Sequence, residues 1–194
     1  MPRLILASNS PRRRQLLADL GLPYEVRLKD VDESYPAHLK GAEVAEFLAA
    51  HKASAYRDEL VPGDVLLTAD TIVCLDEYIL NKPTDEEDAV RMLLQLQGRA
   101  HDVFTGVCLL TGEGKRVVFS DQTRVYFRTL SETDIRYYVQ HYRPLDKAGA
   151  YGAQDWIGLV AVTRLEGSYF NVMGLPVHRV YTELEKLGFG VVNQ

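Results

Sequence analysis

LILASNSPRRRQLL, from Leu4 to Leu17, decides how the chain begins to fold. The run Leu4-Ile5-Leu6-Ala7 is apolar enough for a buried strand, and Ser10-Pro11 has the chemistry of a helix start, with Ser as N-cap and Pro at the first helical position. A strand, a short polar turn and a helix therefore follow one another within a few residues. Arg12, Arg13 and Arg14 come immediately after the cap. A helix N-terminus already carries partial positive charge, so each cation there costs about 0.3–1 kcal/mol unless something anionic is near. Backbone N–H groups at such a turn converge on one point, and arginine adds a bidentate grip on phosphate oxygens. Successive helical residues are splayed by about 100°, so the three side chains cannot all face one ligand, and Arg14 reads as the surface or structural one. The competing reading is a basic helix face satisfied by nearby carboxylates. No Walker-type lysine pattern and no GxGxxG fingerprint accompanies the segment.

Outward from this start, the composition is that of an ordinary globular chain. Its 194 residues are 46% hydrophobic and 25% charged, with a formal net charge of −5. That balance argues against stable nucleic-acid binding while leaving room for a local basic site. Cys74 and Cys108 lie in apolar β-like runs without metal-ligand or pairing motifs, which predicts buried reduced thiols. No signal peptide and no apolar run of about 20 residues is visible, so the expectation is a cytoplasmic protein without a membrane partner.

The elements alternate. Helices are expected at Pro11–Leu20, at Gly41–Leu60 with Val44, Phe47, Leu48 and Ala55 on one broad face, and after the capping-box pattern Thr84-Asp85-Glu86-Glu87. Ser131 to Asp134 caps another, through about His141, and Pro176 opens a last helix ended by Gly188. Strands are expected at Tyr24–Leu28, Val65–Leu75, Val103–Leu110, Val117–Phe127 and Leu159–Leu165, with a Gly-rich loop around Gly149–Gly158. This is an α/β pattern with long antiparallel strands in its middle.

Asp70 stands in LLTADTIV, among residues that favour strand interiors. A carboxylate buried there is costly unless it meets a cation, a metal or hydrogen-bond donors, and the alternative is a turn aspartate between two strands. Lys52 in AAHKASAY and Lys82 in Asn81-Lys82-Pro83 are the neighbouring candidates for charge complementarity, although each taken singly reads as a solvated surface charge. Glu33, in VDESYP, is a loop acid. If Glu33 and Asp70 meet, two hard oxygen ligands suit Mg²⁺ or Mn²⁺. His51 and His101 form no constellation, and no serine lies in GxSxG, so triad chemistry is not indicated. Trp156, Tyr151 and Tyr169 have the shape to stack on a base, with packing as the plainer reading.

Seven segments together closely resemble the Maf family of nucleoside triphosphate pyrophosphatases: LASNSPRR (Leu6–Arg13), VDES (Val31–Ser34), ADTIV (Ala69–Val73), NKP (Asn81–Pro83), HDVFTG (His101–Gly106), DKAGAYGAQ (Asp146–Gln154) and GSYFNVMGLP (Gly167–Pro176). The resemblance runs from Leu4 to about Leu187 in the family's order and spacing. It implies an inosine-triphosphatase-like (Maf/Ham1) α/β fold, one Maf-like domain over residues 1–194 with a long bent mixed sheet and two lobes around a cleft. It also implies a homodimer. Carried over by position, it makes Asp70 the general base for water attacking the α-phosphorus, Glu33 and Asp70 the ligands of a divalent metal cation, and Ser8, Arg13, Lys52 and Lys82 the phosphate contacts. One departure is Asn81, where the family commonly has Gly, and Asn tolerates unusual turn conformations.

Within the family, the residue after AYG-x separates subgroups, and here it is Gln154. The resemblance pairs it with Arg12 and Thr71 as specificity positions in a branch acting on dTTP and UTP. A cationic 7-methylguanine would favour a carboxylate there, whereas uracil or thymine offers an N–H between two carbonyls that an amide satisfies from both sides. The implied activity is hydrolysis of dTTP and UTP, or of modified pyrimidine nucleotides, to monophosphate and pyrophosphate, with roles in nucleotide-pool cleansing and cell-division arrest. A 7-methyl-GTP pyrophosphatase and a non-catalytic nucleotide-sensing septation regulator stand as alternatives.

Overall fold

The expected strand–turn–helix opening is present in a computed structural model that describes residues 3–190. Strand β1 (Arg3–Leu6) leads through Ser8 and Asn9 into helix α1 (Pro11–Asp19), whose N-cap Ser10 accepts from the Arg13 N–H at 3.4 Å. The other elements in chain order are β2 (Glu25–Val26), α2 (Ala42–Ser54), β3 (Asp64–Leu75), β4 (Tyr78–Leu80), α3 (Glu86–Leu96), β5 (Ala100–Thr111), β6 (Arg116–Phe127), α4 (Glu132–Tyr142), α5 (Trp156–Ala161), β7 (Val162–Glu166), α6 (Tyr169–Met173) and α7 (Val177–Lys186). Seven strands form one mixed sheet in the order β2-β1-β3-β5-β6-β7, with β4 paired to β3. β1 runs parallel to both β2 and β3, while β3–β4 and β6–β7 are antiparallel. The register of β1 on β3 puts Arg3 opposite Asp64, and the guanidinium grips that carboxylate with two bonds, at 2.8 and 2.9 Å.

By contacts the chain divides into two compact units, one of residues 3–70, 105–121 and 174–190 and the other of residues 71–104 and 122–173. In the first, α2 lies against the sheet with a stripe of small residues, Ala45, Ala49 and Ala53, all fully buried. Small side chains at i, i+4 and i+8 let the helix approach closely. Gly106 of β5 completes that approach, since a Cβ there would lie 2.1 Å from the Ala45 carbonyl oxygen. The Thr68 hydroxyl of β3 donates to the Ala49 carbonyl at 2.7 Å. Cys108 is buried in this core, unpaired.

The second unit packs α3, α4 and α5 over Val73, Leu75, Val103, Val125 and Phe127. At its centre His101, Phe127 and Tyr151 meet edge to face, with centroids 5.0–5.4 Å apart, and His101 Nε2 lies 2.7 Å from the Tyr151 hydroxyl. Burial lowers the His101 pKa to about 3, consistent with an Nδ1 that has no hydrogen-bond partner among the described residues. Cys74, also buried and free, is pushed up to about 11 by burial.

Several expected boundaries move. The long helix Gly41–Leu60 ends at Ser54 and gives way to a short 3₁₀ turn, Arg57–Glu59. Its buried face carries the alanines, while Ala55 is exposed. The capping box shifts by one residue: Asp85 is the N-cap, accepting from Asp88 N–H at 2.7 Å, and Asp88 accepts from Thr84 N–H at 3.0 Å. The expected strand Leu159–Leu165 splits into helix α5 and strand β7, leaving Leu159 82% exposed. Gly158 explains the split, because a Cβ there would lie 1.9 Å from the Ala153 carbonyl oxygen, so the tight turn before α5 requires glycine. Asn81, where the family commonly has Gly, has no positive φ, and its carbonyl accepts from Gly149 N–H at 3.2 Å.

Two outcomes test this packing. Gly106→Ala is expected to lower the unfolding free energy by about 1–3 kcal/mol in urea titrations, as overpacked cores do. The folded chain refuses a proton at His101 that the unfolded chain takes up below about pH 6.5, so this site's stability is full above that pH and is lost as pH falls toward 3. Between pH 7 and 5 the wild type should therefore lose about 2 kcal/mol more than His101→Phe, compared by urea unfolding at each pH.

Candidate functional site

β3 delivers Asp70 at the point in the chain where the first unit ends, and Asp70 is only 8% exposed although apolar residues flank it along the strand. Its compensation comes from α2. Lys52, in the last turn of that helix, places Nζ 2.5 Å from Asp70 Oδ1 and 2.7 Å from Glu33 Oε1. The loop acid and the strand acid thus meet on one ammonium. The Lys52 and Asp70 side chains are 17% and 12% exposed and Glu33 is 49% exposed, so the cluster opens to solvent on the Glu33 side.

The arginines divide their work. Arg13 donates from Nε to the Gly174 carbonyl at 2.7 Å and from Nη1 to the Ala69 carbonyl at 2.9 Å. Burial lowers its pKa, an effect opposed by the charges of Asp70 and Glu33. Its guanidinium therefore lies in the field of both carboxylates while it ties the residue before Asp70 to the start of the last segment. Arg14 donates to the Ser8 carbonyl at 3.3 Å and to Asn9 Oδ1 at 3.2 Å, bracing the turn between β1 and α1. That is the structural use expected for one of the three. Ser8 is buried, and its hydroxyl accepts from Ser10 N–H at 3.2 Å. Arg12 is half-buried on α1.

Thr71, Lys82 and Gln154 belong to the second unit. Thr71 follows Asp70 on β3 and projects to the other face of the sheet. Lys82 is exposed in the loop between β4 and α3. Gln154 is exposed on the turn Gly152–Asp155, which closes through a 3.0 Å bond from Asp155 N–H to the Gly152 carbonyl.

Several residues around that turn escaped sequence reasoning. The Tyr138 hydroxyl donates to Asp155 Oδ2 at 2.8 Å and accepts from Gly152 N–H at 3.1 Å, and Lys147 Nζ lies 3.9 Å from the same carboxylate. Tyr138 carries no local signal, being one aromatic on the apolar face of α4. Tyr151 and His101 prove to be core partners, and Trp156 packs on Tyr137 at 5.1 Å.

Among the described residues no group of three or more His, Cys, Asp or Glu is placed to hold a metal. Glu33 and Asp70 nevertheless suit a hard divalent ion, which commonly takes one or two carboxylates and completes its shell with water and substrate phosphates. The Lys52 ammonium already demonstrates that the two carboxylates converge on a single cation.

The family model "Maf-like protein" matches residues 3–187. A protein of Bacteroides thetaiotaomicron named dTTP/UTP pyrophosphatase is 55% identical over 186 residues, covering 95% of this chain and 96% of its own. Proteins of the same name from Flavobacterium johnsoniae and Porphyromonas gingivalis are each 48% identical, covering 95% and 96% of this chain and 95% and 94% of theirs. The Ham1 protein of Staphylococcus aureus is similar in fold, with a TM-score of 0.52 at 16% identity over 94% of this chain and 99% of its own. Its mixed α/β architecture is the one expected from the sequence. From the strand–turn–helix opening to the last helix, this chain belongs to the Maf family.

Proposed function

We propose that the protein is a nucleoside triphosphate pyrophosphatase that hydrolyses dTTP and UTP to the nucleoside monophosphate and pyrophosphate. The observation that carries the reading is the Asp70–Lys52–Glu33 cluster, a buried carboxylate and a loop carboxylate sharing one ammonium. The names of the relatives at about half identity support the substrate pair. Maf-family membership supports the same reaction class.

In this reading Asp70 is the general base. Its carboxylate removes a proton from water as the water oxygen bonds to the α-phosphorus, and the bond from that phosphorus to the bridging oxygen breaks, releasing pyrophosphate. Lys52 holds Asp70 in place at 2.5 Å and supplies fixed positive charge where negative charge develops. Ser8 and Arg13 border the phosphate-binding turn at the start of α1, with Arg12 beside them and Lys82 contributing from its own loop. Glu33 and Asp70 would hold Mg²⁺ or Mn²⁺, which when bound neutralises phosphate charge. Gln154 reads the pyrimidine N–H and one flanking carbonyl through its amide, with Arg12 and Thr71 as companion specificity positions. The cellular setting that goes with this activity is a cytoplasmic enzyme clearing the nucleotide pool, with cell-division arrest as its associated role. No helix among the described residues is long and apolar enough to cross a membrane. A homodimer is the proposed assembly.

The first experiment measures pyrophosphate released from dTTP, UTP, CTP, GTP, ATP and 7-methyl-GTP with Mg²⁺ or Mn²⁺. Activity confined to dTTP and UTP is the expected result, with kcat for Asp70→Asn lower by about 10²–10⁴-fold and nucleotide binding retained. Activity on 7-methyl-GTP alone would overturn the specificity, and undiminished turnover by Asp70→Asn would remove it as the base. Gln154→Glu should lower kcat/KM for dTTP and UTP at least about tenfold, because a carboxylate repels the pyrimidine carbonyl to which the amide NH2 would donate; unchanged kinetics would remove Gln154 from base recognition.

A further inference from the structure

Gln154 is exposed, and a long exposed side chain discriminates between bases only if the backbone beneath it is fixed. The turn that carries it is held at both ends by one hydroxyl. Tyr138, fully buried on α4, donates to Asp155 Oδ2 at 2.8 Å and accepts from Gly152 N–H at 3.1 Å, so the residues on either side of Ala153-Gln154 share a single anchor. The Lys147 ammonium, 3.9 Å from Asp155 Oδ2 and 2.8 Å from Asp146 Oδ1, holds the Asp155 carboxylate from a second direction. The space is closed around this arrangement. A Cβ on Gly152 would lie 2.5 Å from Asp155 Oδ2 and 3.0 Å from Gln154 Nε2, so the Gln154 amide rests directly over the Gly152 backbone. Burial and the neighbouring Asp155 charge both push the Tyr138 pKa up, so its hydroxyl keeps its proton and remains a donor.

We propose that Tyr138 is a specificity-positioning residue: by gripping Gly152 and Asp155 together, its hydroxyl sets the turn that presents the Gln154 amide to a pyrimidine base. The proposal rests on the reading of Gln154 as the base-recognising group. Tyr138 is fully buried and its hydroxyl is spent on Asp155 and Gly152, so it acts through the turn alone. Loss of the hydroxyl therefore loosens base selection while leaving the phosphate chemistry to Asp70 and Lys52. A residue that merely stabilised the fold would lower activity on every nucleotide alike.

The test compares kcat and KM for UTP and CTP in the wild type, Tyr138→Phe, Asp155→Ala and Gln154→Ala. Tyr138→Phe is expected to reduce the preference for UTP over CTP about tenfold, through a raised KM for UTP with kcat within about twofold of wild type. Asp155→Ala, which removes the other half of the grip, should act in the same direction, and it decides the matter if Tyr138→Phe does not fold. An equal fall on UTP and CTP, or an unchanged preference in a variant that folds, overturns the proposal, even where Gln154→Ala abolishes the preference. A wild type without preference for UTP over CTP removes the reading of Gln154 and the proposal with it.

Discussion

A carboxylate buried along an apolar strand has to be compensated, and the Lys52 ammonium does this for Asp70 at 2.5 Å. Removing one partner of such a pair leaves an uncompensated charge that costs several kcal/mol, far more than a surface ion pair gains. The sharing of that ammonium with Glu33 gives the cluster a half-exposed second acid beside a nearly buried first one. The burial of Asp70, the position of α2 and the direction of the Glu33 loop are therefore linked. Arg13 adds to the link by holding the carbonyl of Ala69, the residue before Asp70.

The arginine cluster at the start of α1 is resolved in part by backbone oxygen. Arg13 and Arg14 together engage the carbonyls of Gly174, Ala69 and Ser8, so their placement at a positive helix end is offset by peptide dipoles as well as by the carboxylates whose field reaches Arg13. The family resemblance implies phosphate binding at this position. Local sequence could not reveal the carbonyl partners, because Gly174 is 161 residues from Arg13.

What could be read from sequence was whatever short-range chemistry determines. Ser10-Pro11 and Ser131 fixed two helix starts because a cap is decided by neighbours within three residues. At Thr84-Asp85 two adjacent residues were both competent caps, and the choice fell to Asp85 with Asp88 completing the pair. Leu159–Leu165 was misread because its apolar run fits a strand locally, while Gly158 against the Ala153 carbonyl commits its first half to α5. For the site, residue types and family motifs pointed to Glu33, Lys52 and Asp70, and the structure brings these three together. Tyr138 was illegible because a buried tyrosine on a helix face looks the same in sequence whether or not its hydroxyl is used.

The alanine stripe of α2 has a meaning beyond packing. A lysine stem has a fixed length, so the spacing between helix and sheet acts as a ruler for where its ammonium ends. Ala45, Ala49 and Gly106 set that spacing at the lower limit of backbone contact, and the bond from Thr68 to the Ala49 carbonyl locks it. Enlarging any of these side chains would lift the helix and carry Lys52 away from Asp70 with it. Residues with no chemistry of their own are thereby calibrating a charge pair, and drift in side-chain size along this seam would reach that pair as well as the packing.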